Sequence, residues 1–275
     1  MRIALLQMRG GIEPEANAAC VIAALRQAKA GGAVLVFTPE MTGLLDRDGE
    51  RAAGKLREEA DDLVLRAVRD EAQRLGLWVS LGSLAIRSGD GRLVNRSFLI
   101  DAAGTIRARY DKLHLFDVDL PTGESWRESN RYAAGSQLVL GGETPVGPLG
   151  MSICYDLRFP ALYQALSDAG AKVLAVPAAF TVPTGLAHWH ILLRARAIEN
   201  AAFVVAAAQV GRHPDGRETF GHSLVVGPWG NVLLDLGADE GVGFCDIDPG
   251  EVDAVRGRLP VVVHRRSLPQ PVIAP

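Results

Sequence analysis

Hydrophobic and polar positions along the chain fall into two rhythms, short apolar runs and stretches with helical spacing, and the two alternate. Ile3 to Gln7 is an apolar run that predicts a buried strand. Glu13-Pro14-Glu15 then opens a helix, with proline in the first turn and acids at the positive end of the dipole, and the helix closes near Gly31-Gly32. A second buried strand, Ala33 to Thr38, stops at Pro39-Glu40, and a helix with a charged face runs from Asp61 to Leu75, closed by Gly76. The runs Trp78 to Arg87, Leu93 to Asp101 and Thr105 to Tyr110 follow with turn-forming residues between them, which predicts a β-meander.

The second half repeats the rhythm. Val146 to Tyr155 reads as strand, Phe159 to Ala169 as helix, Val173 to Pro177 as strand, Ala187 to Asn200 as helix and Phe203 to Val210 as strand. Three short strands come after, Ser223 to Val226, Val232 to Leu236 and Gly241 to Asp246. The segment 116–135 between the halves keeps no period and reads as a functional loop. The pattern is that of an α/β protein. No linker or composition shift divides residues 1–250, so they form one domain. Residues 251–275, with four prolines from Leu259 onward and Arg265-Arg266, read as an extended tail held against another surface.

Composition narrows the partners. The 275 residues carry 29 Lys+Arg against 32 Asp+Glu, a formal net charge of −3, which excludes the basic excess of a nucleic-acid or acidic-membrane binder. No window approaches a membrane span and the N-terminus lacks the core of a signal peptide. Three cysteines, Cys20, Cys154 and Cys245, are odd in number and lack metal-type spacing, which points to a reduced compartment, the cytoplasm. The histidines are dispersed; His188 and His190 are too close to share one helix face, and no metal or cofactor is expected. Lysine occurs only at positions 29, 55, 112 and 172, so each one retained in an arginine-rich chain draws attention, because lysine changes its protonation state where arginine does not.

Three residues stand where strands end. Glu40 follows a buried strand, at the sheet edge where α/β proteins place ligands, although a capping or solvated acid fits the same position. Lys112 ends the run TIRARYDK beside the apolar LHLF, where a snorkelling side chain is the structural alternative. Cys154 follows Gly150-Met151-Ser152-Ile153 and precedes a helix; it is either a buried small hydrophobe or a nucleophile displayed at a sharp strand-to-helix turn. A thiol, a carboxylate to take its proton and an ammonium to hold the developing anion are together sufficient for acyl transfer.

FTPE around Glu40, YDKLHLFD around Lys112 and ICYDLRFP around Cys154, in that order, resemble the signature segments of the nitrilase superfamily of carbon–nitrogen hydrolases. PAAF at Pro177, HW…LLRARAIEN from His188 and GHSLVVGPWG from Gly221 extend the resemblance to about Asp248. It implies a four-layer α-β-β-α sandwich of two mixed sheets flanked by helices, and a homodimer. It also implies a mechanism with Cys154 as nucleophile, Glu40 as general base and acid, Lys112 and the backbone N–H of Tyr155 at the oxyanion, and Glu128 orienting Lys112 and substrate. Arg158 is a candidate for a substrate carboxylate, with a structural ion pair as its alternative, and Phe180 and Thr184 are further candidates for substrate contact.

Within the family, GLWVSLGS at Gly76, ESN at Glu128 and VVAAAQVGRH at Val204 resemble the branch that hydrolyses the amide of the 2-oxoglutaryl, or deaminated, form of glutathione. The neighbouring omega-amidases cleave 2-oxoglutaramate and 2-oxosuccinamate, and N-carbamoyl amidohydrolysis or a catalytically silent scaffold are the remaining alternatives. One segment departs from the family: many relatives end in a stretch like RRPDLY, whereas here Arg265-Arg266 is followed by Ser267-Leu268-Pro269.

Overall fold

The computed structural model describes residues 1–119, 123 and 125–274. Two mixed sheets are packed face to face. The first runs in the order Gly241–Asp246, Arg2–Gln7, Leu35–Phe37, Trp78–Arg87, Leu93–Ile100, Ile106–Asp111, with a short strand Arg57–Glu58 beside Trp78–Arg87. Its three central strands are parallel and the outer ones antiparallel. The second runs Val232–Asp235, Leu224–Val226, Phe203–Ala206, Val173–Ala175, Leu149–Met151, Leu140–Gly141, again with a parallel centre and antiparallel edges.

Period-two alternation explains the layering. In the first strand Ala4 and Leu6 turn outward to helices α1 (Pro14–Ala30) and, after the short α2 (Gly49–Ala53), α3 (Leu63–Leu75). Ile3 and Leu5 turn inward and join Leu35, Phe37, Leu99 and Tyr110 against Leu149, Met151 and Val204 of the second sheet. Helices α4 (Pro160–Asp168) and α5 (Val182–Asn200) cover the far side of that sheet, with Trp189 fully buried. The fold is therefore the expected α-β-β-α sandwich. Arg2 to Asp246 and the N-terminal ammonium to the Ile247 carbonyl tie the chain's beginning to its last strand.

Several elements differ from the sequence reading. The strand expected over 146–155 covers only Leu149–Met151, because the chain then turns into a 3-10 segment, Cys154–Arg158. Helix α5 begins five residues before Ala187, since Pro183 sits in the first turn, where its missing N–H costs no hydrogen bond. The segment 116–135 is not structureless: Asp117–Asp119 pairs with Ser125–Arg127, and a 3-10 turn, Glu128–Asn130, follows. The tail expected to be extended from residue 251 starts instead with helix α6 (Gly250–Arg258), whose Glu251 and Asp253 lead and whose Arg256 and Arg258 close it, matching the helix dipole. Beyond α6, Arg265 donates to Asp168 Oδ1 at 2.6 Å and Asn200 Oδ1 at 2.7 Å, binding the ends of α4 and α5 together. Among the described residues no helix is long and apolar enough to cross a membrane.

Candidate active site

Glu40, Lys112 and Cys154 meet at the inner end of a cavity of about 800 Å³. Each arrives from a different strand end, and all three are nearly inaccessible to solvent. Glu40 comes from the first sheet, three residues beyond Phe37; the Thr38 hydroxyl accepts from the Gly82 N–H at 2.9 Å and Gln209 Nε2 donates to the Glu40 carbonyl at 2.9 Å, which fixes the loop. Lys112 directly follows the edge strand Ile106–Asp111 and is held by backbone bonds from its N–H to the Asn95 carbonyl and from the Gly135 N–H to its own carbonyl. Cys154 comes from the second sheet.

The Cys154 backbone has φ of 49°, a left-handed conformation that costs a non-glycine residue on the order of 1 kcal/mol. Its neighbours hold it there. The Cys154 N–H donates to the Pro177 carbonyl at 2.9 Å. Asp156, wholly buried, accepts from the Ile153 N–H at 2.9 Å, the Tyr110 hydroxyl at 2.7 Å and the His114 N–H at 3.0 Å. Asp156 thus locks the turn that displays the thiol to the end of the strand that supplies Lys112. Among the described residues the Tyr155 N–H, second in the 3-10 turn, has no acceptor, so it is available to an incoming oxygen. The Tyr155 ring packs edge-on against Phe116, 5.1 Å between centroids.

The polar geometry is tight. Lys112 Nζ lies 2.9 Å from Glu40 Oε1 and 2.8 Å from Glu128 Oε2. Asn95 Nδ2 donates to both carboxylates, at 2.9 Å to Glu40 and 3.2 Å to Glu128, and the Ala179 N–H reaches Glu40 Oε2 from the second sheet at 3.0 Å. Glu128 is oriented in turn by the Phe116 N–H at 2.7 Å.

These contacts set the protonation states. Burial alone would raise the Glu40 carboxyl, but the Lys112 ammonium and hydrogen bonds from Lys112, Cys154 and Asn95 bring it below the ordinary carboxylate value. Burial opposes the charge of Lys112, yet Glu128 and Glu40 hold it well above the usual lysine value. Burial and the Glu40 carboxylate push the Cys154 thiol well up. The resting site is therefore a neutral thiol beside a carboxylate and an ammonium, a state the sequence alone left undecided.

The remaining sequence candidates fall elsewhere. Arg158, Phe180 and Thr184 are not among the described residues lining the cavity. Arg158 contacts His188 Nδ1 at 3.3 Å and lies over the rings of Tyr155 and Phe180. Phe180 packs on Trp189 at 4.8 Å, and the Thr184 hydroxyl bonds Thr181. What lines the outer cavity instead includes Trp126, Arg131, Tyr132 and Arg217. Sequence reasoning missed these, with Asn95 and Asp156, because none ends a strand; Asp156 alone carried a signal, an acid two residues past the cysteine in the turn. Nor are the histidines all dispersed: Asp235 bonds His190 Nε2 at 2.9 Å and His222 Nδ1 at 2.9 Å, joining α5 to a distant hairpin that spacing could not connect.

Comparison with known proteins places this arrangement. The pattern of the carbon-nitrogen hydrolase family matches residues 2–257. The deaminated glutathione amidase of Yersinia enterocolitica is 40% identical over 267 residues, spanning 96% of this chain and 92% of that protein. The human deaminated glutathione amidase is 39% identical over 275 residues, 96% of this chain and 82% of that one. Among solved structures, the C. elegans NitFhit protein superposes with a TM-score of 0.89 at 38% identity, over 96% of this chain and 65% of that one. An amidase variant from Nesterenkonia sp. AN1, in which acrylamide has added to the active-site cysteine, superposes with a TM-score of 0.79 at 28% identity, over 94% and 98%.

Proposed function

The chain belongs to the carbon-nitrogen hydrolase family, and from that membership we propose that it is a thiol amidase for a small 2-oxo-acid amide, with 2-oxoglutaryl-Cys-Gly, the deaminated form of glutathione, as its preferred substrate. The observation that carries the chemistry is the Glu40 carboxylate, held by the Lys112 ammonium at 2.9 Å in the same enclosed cavity as the Cys154 thiol.

In this mechanism the thiol is neutral until substrate arrives. Glu40 takes the Cys154 proton as sulfur attacks the amide carbonyl, and the oxyanion is met by Lys112 and the Tyr155 N–H. Glu40 then returns the proton to the departing amine, leaving a thioester on Cys154. Water entering beside Glu40 loses a proton to it and attacks the thioester, which releases 2-oxoglutarate and restores the thiol. Glu128 keeps Lys112 charged and aimed through both steps. Of the candidates outside the described cavity lining, Arg158 holds a substrate carboxylate only if it turns away from His188; Phe180 and Thr184 support the wall formed by Ala179 and Thr181.

The substrate choice is supported by the relatives' names and by a cavity with arginines at its mouth and room for a peptide-sized amide. Release of Cys-Gly and of ammonia from 2-oxoglutaryl-Cys-Gly and 2-oxoglutaramate, compared as kcat/KM, tests it. A higher value for 2-oxoglutaramate makes the protein an omega-amidase, and turnover of neither removes the proposal.

A homodimer belongs to the same proposal, and it is supported by apolar surface. Ile191 and Ile198, one heptad apart on α5, are 70% and 44% exposed, and Trp229 beside them 61%. Val263 and Leu268 of the tail are exposed as well. The three cysteines are free, in keeping with the cytoplasm as the working compartment.

A further inference from the structure

The Arg217 side chain, which lines the cavity, is 17% exposed, and its partner is inaccessible: Nε donates to Asp215 Oδ2 at 2.7 Å. Asp215 is itself fixed, accepting from the backbone N–H groups of Arg217 and Arg47. With Nε engaged, the guanidinium's two terminal nitrogens have no acceptor among the described residues, and the group lies over the Trp126 ring, 5.2 Å from its centroid. Trp126 adds a second unpaired donor. Its Nε1 is buried and without a partner among the described residues. Arg131 reaches the carbonyls of Asp46 and of Arg47, whose N–H holds Asp215, through Nη1 only.

A half-used guanidinium fork and an unpaired indole N–H in one corner are donors awaiting an acceptor, and the buried indole N–H costs free energy while it is unsatisfied. Two planar donors suit a carboxylate.

The position of this corner says which carboxylate. Glu40 must protonate the departing nitrogen, so the amine portion of the substrate lies along the wall that continues from Glu40. That wall is Met41, Leu44, Leu45, Asp46 and Arg47, and it is bonded to both Arg131 and Asp215. The acyl portion, by contrast, must stay against Cys154 and the Tyr155 N–H. We propose that Arg217, with Trp126 and Arg131, forms a subsite for a carboxylate on the leaving amine, so that the enzyme selects amides whose amine is an amino acid or short peptide with a free C-terminus. This rests on the amidase reading above and sharpens it: an unsubstituted amide, which releases ammonia, leaves the subsite empty.

The test compares 2-oxoglutaryl-Cys-Gly with the same compound amidated at its C-terminus, in the full-length protein and in Arg217→Ala. The native protein should prefer the free acid by at least about 10-fold in kcat/KM, mainly through KM, and Arg217→Ala should bring that ratio close to one. Arg217→Lys, which keeps charge but not the fork, should give an intermediate ratio. Equal losses for acid and amide in Arg217→Ala, or a preference that survives the substitution, overturn the subsite. If the native protein hydrolyses neither compound, the amidase reading has failed independently. Calorimetric binding of Cys-Gly then decides the subsite alone: binding that Arg217→Ala abolishes supports it, and no binding or unchanged binding overturns it.

Discussion

Lys112 Nζ stands 2.9 Å from Glu40 Oε1, and the pair is sealed from solvent with Asn95 and Glu128 around it. Replacing Lys112 leaves two buried carboxylates uncompensated, whereas replacing Glu40 leaves the ammonium paired with Glu128; either change removes a group that acts in both half-reactions. Glu40→Gln and Lys112→Ala should each lower kcat by at least about 100-fold. Lys112→Ala should in addition lower Tm more than Glu40→Gln does, because it leaves two carboxylates facing each other. Steady-state kinetics and thermal unfolding on the same preparations check both statements.

The pH profile follows from the directions of the shifts. Glu40 ionises below its ordinary value of 4.5, while the thiol and the ammonium stay protonated well above 9.0 and 10.5. Hence kcat/KM should be flat from about pH 5 to about pH 9 and fall only below that range as Glu40 takes up a proton. Stability follows the same signs. The Glu40 contribution is complete above its unfolded value near 4.5 and is lost as the pH falls through its lower folded value; that of Lys112 is complete below about 10.5 and is lost only as the pH rises past its folded value. An activity midpoint near neutrality would show that another group is the base.

Asp156 should matter more for the shape of the turn than for proton transfer. Asp156→Asn weakens the bonds from Tyr110, His114 and Ile153 together and should cost about 2–4 kcal/mol of stability, whereas Tyr110→Phe should cost about 1–2 kcal/mol. Denaturant unfolding measures both. In each variant alkylation of Cys154 by iodoacetamide should change rate, since the left-handed backbone at 154 relaxes.

Gly82 has no room for a side chain. A Cβ there would meet the carbonyl oxygens of Thr38 and Pro39, which are backbone atoms next to Glu40. Gly82→Ala should cost about 1–3 kcal/mol of stability and reduce kcat at least about 10-fold, with little change in KM, by displacing the base rather than the substrate. Wild-type kcat in a folded Gly82→Ala protein would mean that the Glu40 loop tolerates the shift.

Ile191→Arg, on the exposed stripe of α5, should convert a dimer to a monomer in analytical ultracentrifugation without unfolding it. A native protein that sediments as a monomer would remove the dimer from the proposal.

The strands that end at Glu40 and Lys112, and the turn at Cys154, were legible because each joins an apolar run to an isolated polar residue at a point where periodicity stops. Bounds of the long elements came close: the helix read as 61–75 is Leu63–Leu75, and Trp78–Arg87 agrees at both ends. Hairpins such as Val210–Arg212 with Glu218–Phe220 were missed, being too short to show a period. So was the Asn95 side chain, which shares a strand with apolar neighbours and gains its role only from a glutamate 55 positions away. Arg131 and Arg217 were indistinguishable from surface arginines, because their enclosure depends on how distant loops close over them.

The hydrogen bond from Ala179 to Glu40 runs between layers that share no strand. Base and ammonium ride on one sheet and the nucleophile on the other, so turnover depends on the alignment of two slabs as well as on either slab's integrity. A slip of an ångström between them would part thiol from carboxylate while leaving every strand paired. Under mild denaturant, catalysis should therefore disappear while circular dichroism still reports an intact protein, and activity becomes the most sensitive gauge of how firmly the slabs are joined.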